Sequence, residues 1–108
     1  MFFPNRTVGD AALIDKRVIA AGFARLVAIV GFNNAGTDIY VQIHETATEP
    51  SAGAVPKFAF NASAGLPYSF ALPTAVDMSA VYVAASSTLA TYTATGATNV
   101  SIQGIVAG

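Results

Sequence analysis

The stretch Thr37-Asp38-Ile39-Tyr40-Val41-Gln42-Ile43-His44-Glu45 sets Ile39, Val41 and Ile43 against Tyr40, Gln42 and His44. Successive side chains of an extended chain point to opposite faces, so this period of two predicts a strand with an apolar side on a core and a polar side toward solvent. Upstream, Ala24 to Phe32 puts Leu26, Val30 and Phe32 on one face and Val27 and Ile29 on the other. Both faces are apolar, as in a central strand. Between the two lies Asn33-Asn34-Ala35-Gly36, residues that tolerate the positive φ of a tight antiparallel turn. The expectation is a hairpin.

Further strand signals follow at short intervals. Lys57 to Asn61 places Phe58 and Phe60 on one face; Tyr68, Phe70 and Leu72 alternate between Pro67 and Pro73. The prolines cannot donate to a ladder and are expected at strand ends or edges. Met78 to Ser86 sets Val81 and Val83 against Tyr82, Leu89 to Thr95 alternates Thr with Tyr92, and Asn99 to Val106 alternates Val100, Ile102 and Gly104 with Ser101 and Gln103. Lys16 to Ala21 reads as an eighth strand, although residues 10–21 also fit a short helix capped by Asp10 and stopped at Gly22. The stretch from Thr46 to Ala54 is the long loop. Many short strands separated by turn residues predict an all-β fold, an antiparallel β-sandwich or jelly-roll-like barrel of about seven to eight strands. Residues 1–15 are read as an N-terminal arm and 16–108 as one domain, a length that suits a single core.

Charge narrows the function classes. Asp77 is the single charged side chain between residues 58 and 108; the other ten charges fall in the first 57. Charged residues make up 10% of the chain and hydrophobic ones 54%, where an ordinary soluble domain carries about a quarter charged. Much of the surface is therefore expected to face other protein. No run reaches the roughly 18 unbroken apolar residues of a spanning helix, and Arg25 interrupts the nearest approach, Val18 to Phe32. The first residues, Met-Phe-Phe-Pro-Asn-Arg, lack the layout of a secretory signal. The net charge of −1, with basic residues scattered at Arg6, Lys16, Arg17, Arg25 and Lys57, speaks against nucleic-acid binding. The chain has no Cys, so disulfides and thiolate sites are excluded.

The residues that carry chemistry elsewhere are isolated here. His44 is the one imidazole, with no second His or carboxylate at a metal-binding spacing, and it reads as a surface residue on a polar strand face. Asp10, Asp15, Asp38, Glu45, Glu49 and Asp77 form no pair spaced for acid–base work. Asn33, Asn34, Gly36 and Asp38 lack the closing Glu of a calcium loop, and Asn61 to Gly65 lacks the first Gly and the strand-to-helix setting of a nucleophile elbow. No catalytic, cofactor or metal site is expected. Phe2, Phe3 and Pro4 are different: two aromatics on a stiffened terminus suit an arm docked on a neighbour, or equally a terminal strand folded onto its own core or a frayed end.

Val30-Gly31-Phe32-Asn33-Asn34-Ala35-Gly36, Tyr40-Val41-Gln42-Ile43-His44-Glu45, Pro50-Ser51-Ala52-Gly53-Ala54-Val55-Pro56 and Tyr82-Val83-Ala84-Ala85-Ser86-Ser87-Thr88 together resemble small β-sandwich structural proteins of tailed-bacteriophage virions. The likeness spans about residues 17–95; where such proteins commonly have a glycine before the last of these strands, this chain has Val76-Asp77-Met78-Ser79. The resemblance implies a non-enzymatic virion component, decorating or cementing the phage head. Its partners would be the major capsid protein or another virion protein and its own copies in a homo-oligomer, with Phe2, Phe3 and Pro4 and the strand edges as contacts. The alternative is a carbohydrate- or receptor-binding module of a tail or fibre, using Tyr40, Gln42 and His44 with the 46–54 loop.

Overall fold

The computed structural model describes residues 5–107. They form eight strands, β1 (Asn5–Val8), β2 (Lys16–Ala20), β3 (Ala24–Asn33), β4 (Ile39–His44), β5 (Phe58–Ala62), β6 (Pro67–Met78), β7 (Val81–Ser86) and β8 (Val100–Ala107). The first sheet has the order β1-β8-β3-β6 and the second β2-β7-β4-β5. All pairings are antiparallel. The pairs β1:β8, β2:β7, β3:β6 and β4:β5 are the rungs of one long hairpin, and β3:β8 and β4:β7 arise when that hairpin is rolled up. This is the wiring of a jelly roll. Lys16–Ala20 is a strand, not part of a helix, and Asn5–Val8, inside the stretch read as an arm, is an edge strand on β8.

The inner faces of the two sheets supply the core. Leu26, Ile29, Ile102 and Val106 of the first sheet meet Val41, Ile43, Val81 and Val83 of the second, all buried. Across the edge where β5 and β6 leave the sheets, Phe60 stacks on Phe70 at 4.8 Å between ring centroids and lies 5.6 Å from Tyr68. Tyr68 then reaches over β3 to donate its hydroxyl to the Ser101 carbonyl oxygen at 2.7 Å. It crosses at Gly31, where a Cβ would collide with that carbonyl and the Tyr68 ring, so only glycine fits. Burial pushes the Tyr68 phenol far above its ordinary range.

Several expectations are corrected. The residues read as a hairpin, 24–32 and 37–45, lie in different sheets: β3 belongs to the first and β4 to the second. The turn chemistry assumed for Asn33 to Gly36 is also absent, since the positive-φ residues among those described are Gly9, Gly53, Gly65 and Gly96. Asn33 is buried instead. Its Nδ2 donates to the carbonyls of Thr37 (3.1 Å) and Ala62 (2.9 Å), and its Oδ1 accepts from the Ala35 amide (2.8 Å), which pulls the connection across the end of the sandwich. A side chain that bonds backbone in this way substitutes for ladder partners and lets the chain change sheets.

The faces of β3 differ from a simple alternation because the register shifts between Leu26 and Ala28 on both neighbours. The bulge turns Leu26 and Ile29 to the same, inner side and leaves Val30 and Phe32 outside. On β6 the shift accommodates residues 72–75, so Pro73 sits within a bulge on an edge strand and does not end it. The strand read as 78–86 therefore divides: Met78 closes β6 and β7 begins at Val81. Leu89 to Thr95 is not a strand; it makes one isolated bridge, Ser86 to Ala94, and scattered backbone bonds at Tyr92 and Thr93.

The register places the connections 9–15, 34–38, 63–66 and 87–99 at one end of the sandwich and 21–23, 45–57 and 79–80 at the other.

Candidate functional site

Strand β4 presents Tyr40, Gln42 and His44 on the outer face of the second sheet, opposite Ser86, Ala84 and Tyr82 of β7. The open polar face expected there does not exist at Gln42 and His44. Gln42 is 0% exposed and His44 4%, because the 87–99 connection folds back over this face and carries Tyr92 onto it. Tyr40 remains half-buried. The flap is laced down at both edges. The Tyr92 amide donates to the Ala54 carbonyl and the Gly53 amide to the Tyr92 carbonyl, both at 2.8 Å, which ties it to the β4–β5 loop. The Ser86 hydroxyl accepts from the amides of Thr88 (3.2 Å) and Thr93 (3.0 Å) and donates to the Thr88 carbonyl (2.8 Å).

At its centre the Gln42 amide nitrogen lies 3.0 Å from the carbonyl oxygens of Thr88, Leu89 and Thr91. Three acceptors fix which end of the amide is nitrogen, so the Gln42 oxygen faces His44 Nε2 at 2.9 Å. The neutral imidazole must then carry its proton on Nε2 and donate it. The Tyr92 ring meets the imidazole edge-on at 5.7 Å. Desolvation lowers the His44 pKa. The group this imidazole contacts is an amide oxygen, which has no proton for a base to remove.

Beside this cluster, at the 45–57 end, His44, Glu45, Glu49 and Lys57 help line a cavity of about 490 Å³ beneath the long loop. Its charges are matched internally: Lys57 lies 3.3 Å from Glu45, and Glu49 2.6 Å from Lys16. The Ser79 amide, 2.8 Å from Glu45, and then Lys57 hold that carboxyl below its usual range. The bond to Glu49 raises the Lys16 ammonium further above neutrality. Among the described residues no three His, Asp or Glu gather as metal ligands. Among the described residues no helix is long and apolar enough to cross a membrane.

The outer face of the first sheet is the opposite case. The register brings Thr7 and Ile105, Ala28 and Ala71, Val30, Gln103 and Ser69, and Phe32 and Pro67 to one surface. Phe32, Ser69, Ala71 and Thr7 are exposed, and Val30, Gln103 and Ile105 half-exposed. Its charges are Arg25 and Asp77 at one end, 2.7 Å apart and paired with each other. Leu66 continues the apolar rim beside Phe32 and is 54% exposed. Sequence reading missed this surface because the β3 bulge moves Val30 and Phe32 outward; the signal present was the run of uncharged residues in β6 and β8. Phe2, Phe3 and Pro4 lie outside the described residues.

No family model, curated protein or solved structure matches this chain.

Proposed function

We propose that the chain is a non-enzymatic structural protein of a tailed-bacteriophage virion that decorates or cements the capsid, bound to the major capsid protein or another virion protein and to its own copies. The observation that carries this reading is the outer face of the first sheet, a strand surface of Val30, Phe32, Ala71, Ile105 and small polar residues whose two charges, Arg25 and Asp77, neutralise each other. Interface cores are depleted in charge, and exposed apolar surface of this kind marks contact with other protein. The jelly roll alone does not choose, since it serves capsid and lectin domains alike. The charge-poor surface and the resemblance of residues 17–95 to phage structural proteins support the same answer.

Because β1 starts at Asn5, a truncation that probes the terminal aromatics must stop at Pro4; removing residues 1–9 would also strip an edge strand from β8. Quantitative mass spectrometry of purified particles tests the proposal. Copies comparable to the major capsid protein are expected; a few copies would move the chain to a vertex or tail, and absence from particles would overturn the virion role.

The second reading, a carbohydrate- or receptor-binding module, is favoured by one observation, the cavity under the 46–57 loop. With Gln42 and His44 buried, that cavity and Tyr40 are what remains of the ligand surface first considered. Glycan-array binding lost on Thr48→Arg, which fills the cavity mouth, would support it over decoration.

A further inference from the structure

The two sheets end in four edge strands, β1, β6, β2 and β5, and an edge presents a row of amides and carbonyls that another strand can join. Three of the four are guarded. β6 carries Pro67 and Pro73, a register shift against β3 and Asp77 near its end. β2 carries Lys16 and Arg17 and a shift of its own between Val18 and Ala20. β1 has Arg6 within its four residues, and the residues before it lie outside those described. β5 has none of these devices. Phe58-Ala59-Phe60-Asn61-Ala62 contains no proline and no charge, and it pairs with β4 without a register shift. Apart from the Ala62 carbonyl, which accepts from Asn33 Nδ2 at 2.9 Å, its backbone bonds to no described residue outside β4. Asn61 is exposed, and Phe58, Ala59 and Phe60 are half-buried.

This strand is complementary to itself. Paired antiparallel about Phe60, two copies set Phe58 against Ala62, Ala59 against Asn61 and Phe60 against Phe60, so large meets small and aromatic meets aromatic. Faces also match: Phe58, Phe60 and Ala62 follow the inner residues Ile43, Val41 and Ile39, while Ala59 and Asn61 lie with Gln42 and Tyr40 on the outer side. Charge agrees with this register. It lays Lys57 of one copy beside Ser63 of the other, about 10 Å across two strand spacings from Asp38, within reach of a lysine stem. Asp38 is held at that end by the Ala64 amide, 2.9 Å from its Oδ1. A two-fold axis makes the contact twice. We infer that the free edge of β5 pairs with β5 of a second copy, joining the second sheets of two sandwiches into one continuous sheet. The virion reading includes contact between copies without placing it; this contact belongs to the purified chain, and its failure leaves capsid binding untouched.

Sedimentation equilibrium of the whole chain should show a reversible monomer–dimer equilibrium below about 1 mM. Isotope-filtered NMR on mixed labelled and unlabelled wild type should give contacts between Ala59 of one copy and Asn61 of the other, and needs no variant to fold. Two double variants then read the register. Ala59→Lys with Asn61→Lys sets like charges opposite each other, and it should associate roughly tenfold more weakly than Ala59→Lys with Asn61→Asp, which sets opposite charges there. A monomer at every concentration up to about 1 mM, filtered contacts that leave β5 out, or equal association of the two double variants would overturn the inference.

Discussion

Gln42 and Gln103 are both glutamines at the centre of a four-stranded sheet, each on an outer face of the sandwich, and their surroundings differ completely. Gln42 is fully buried, its amide meeting three flap carbonyls and the His44 ring, whereas Gln103 stands half-exposed among Val30, Ser69 and Ile105. The chain covers the outer face of its second sheet with its own β7–β8 connection, and among the described residues nothing covers that of its first sheet. The covered face is the more polar of the two: Gln42, His44, Ser86 and Tyr82 sit there, and each polar group needs a partner once water is removed. The open face is built of side chains that cost little to bury, because they carry few groups to satisfy. A surface easily desolvated and left uncovered by the described residues is suited to be covered by another chain.

The contrast can be broken first at Gln42. Gln42→Leu keeps the volume but leaves the carbonyls of Thr88, Leu89 and Thr91 and the His44 donor without their partner, at a cost of about 3 kcal/mol in denaturant unfolding. The matched Gln103→Leu should stay within about 0.5 kcal/mol. Equal effects would mean that the flap contributes no more than solvent does. Tyr92→Ala removes the ring that seals the flap against His44, Tyr82 and Ala84, with an expected loss of about 2 kcal/mol. Hydrogen exchange should then quicken at the amides of Gly53, Tyr92 and Thr93, which donate within this cover, and stay unchanged across β3 and β8.

Acid sharpens the same comparison more gently. Burial holds the His44 pKa below its ordinary 6.5, so the unfolded chain takes up this proton before the folded one. The sign follows: His44's contribution is fully present above about pH 6.5 and is lost as pH falls below it toward the folded value. Thermal unfolding at about pH 7.5 and about pH 5.5 should show a lower Tm in acid, and His44→Leu should flatten that slope. An unchanged slope in the variant would place the titrating group elsewhere. The smallest effect on stability belongs to the open face, where Val30→Lys should cost within about 0.5 kcal/mol, because a lysine stem can lie along the sheet with its charge in water.

The alternation of Ile39, Val41 and Ile43 was enough to reveal β4 and its inner face, and β8 was equally legible from Val100 to Val106. All-β architecture followed from such elements. What the pattern did not contain was which sheet each strand joins. Asn33 reads as a turn former in one dimension, and its role as a buried bridge to Thr37 and Ala62 depends on a residue 29 positions away. His44 looked like a surface residue because period two reports only that two faces differ, not that the polar one is wet. Its cover comes from Leu89 to Thr95, whose Thr alternation mimics a strand, while its Leu89 and Thr91 carbonyls accept from Gln42 and its Thr93 carbonyl from the Ser87 amide. The bulge at Val27 likewise has no local signature, because Val suits either face.

The central claim is that the open face of the first sheet is where this chain meets its partner. The direct measurement is competitive incorporation of wild type and Val30→Lys into phage particles, counted by quantitative mass spectrometry after both proteins are shown to unfold at the same Tm. The account predicts particles that carry wild type and exclude the variant; equal incorporation of the two would contradict it.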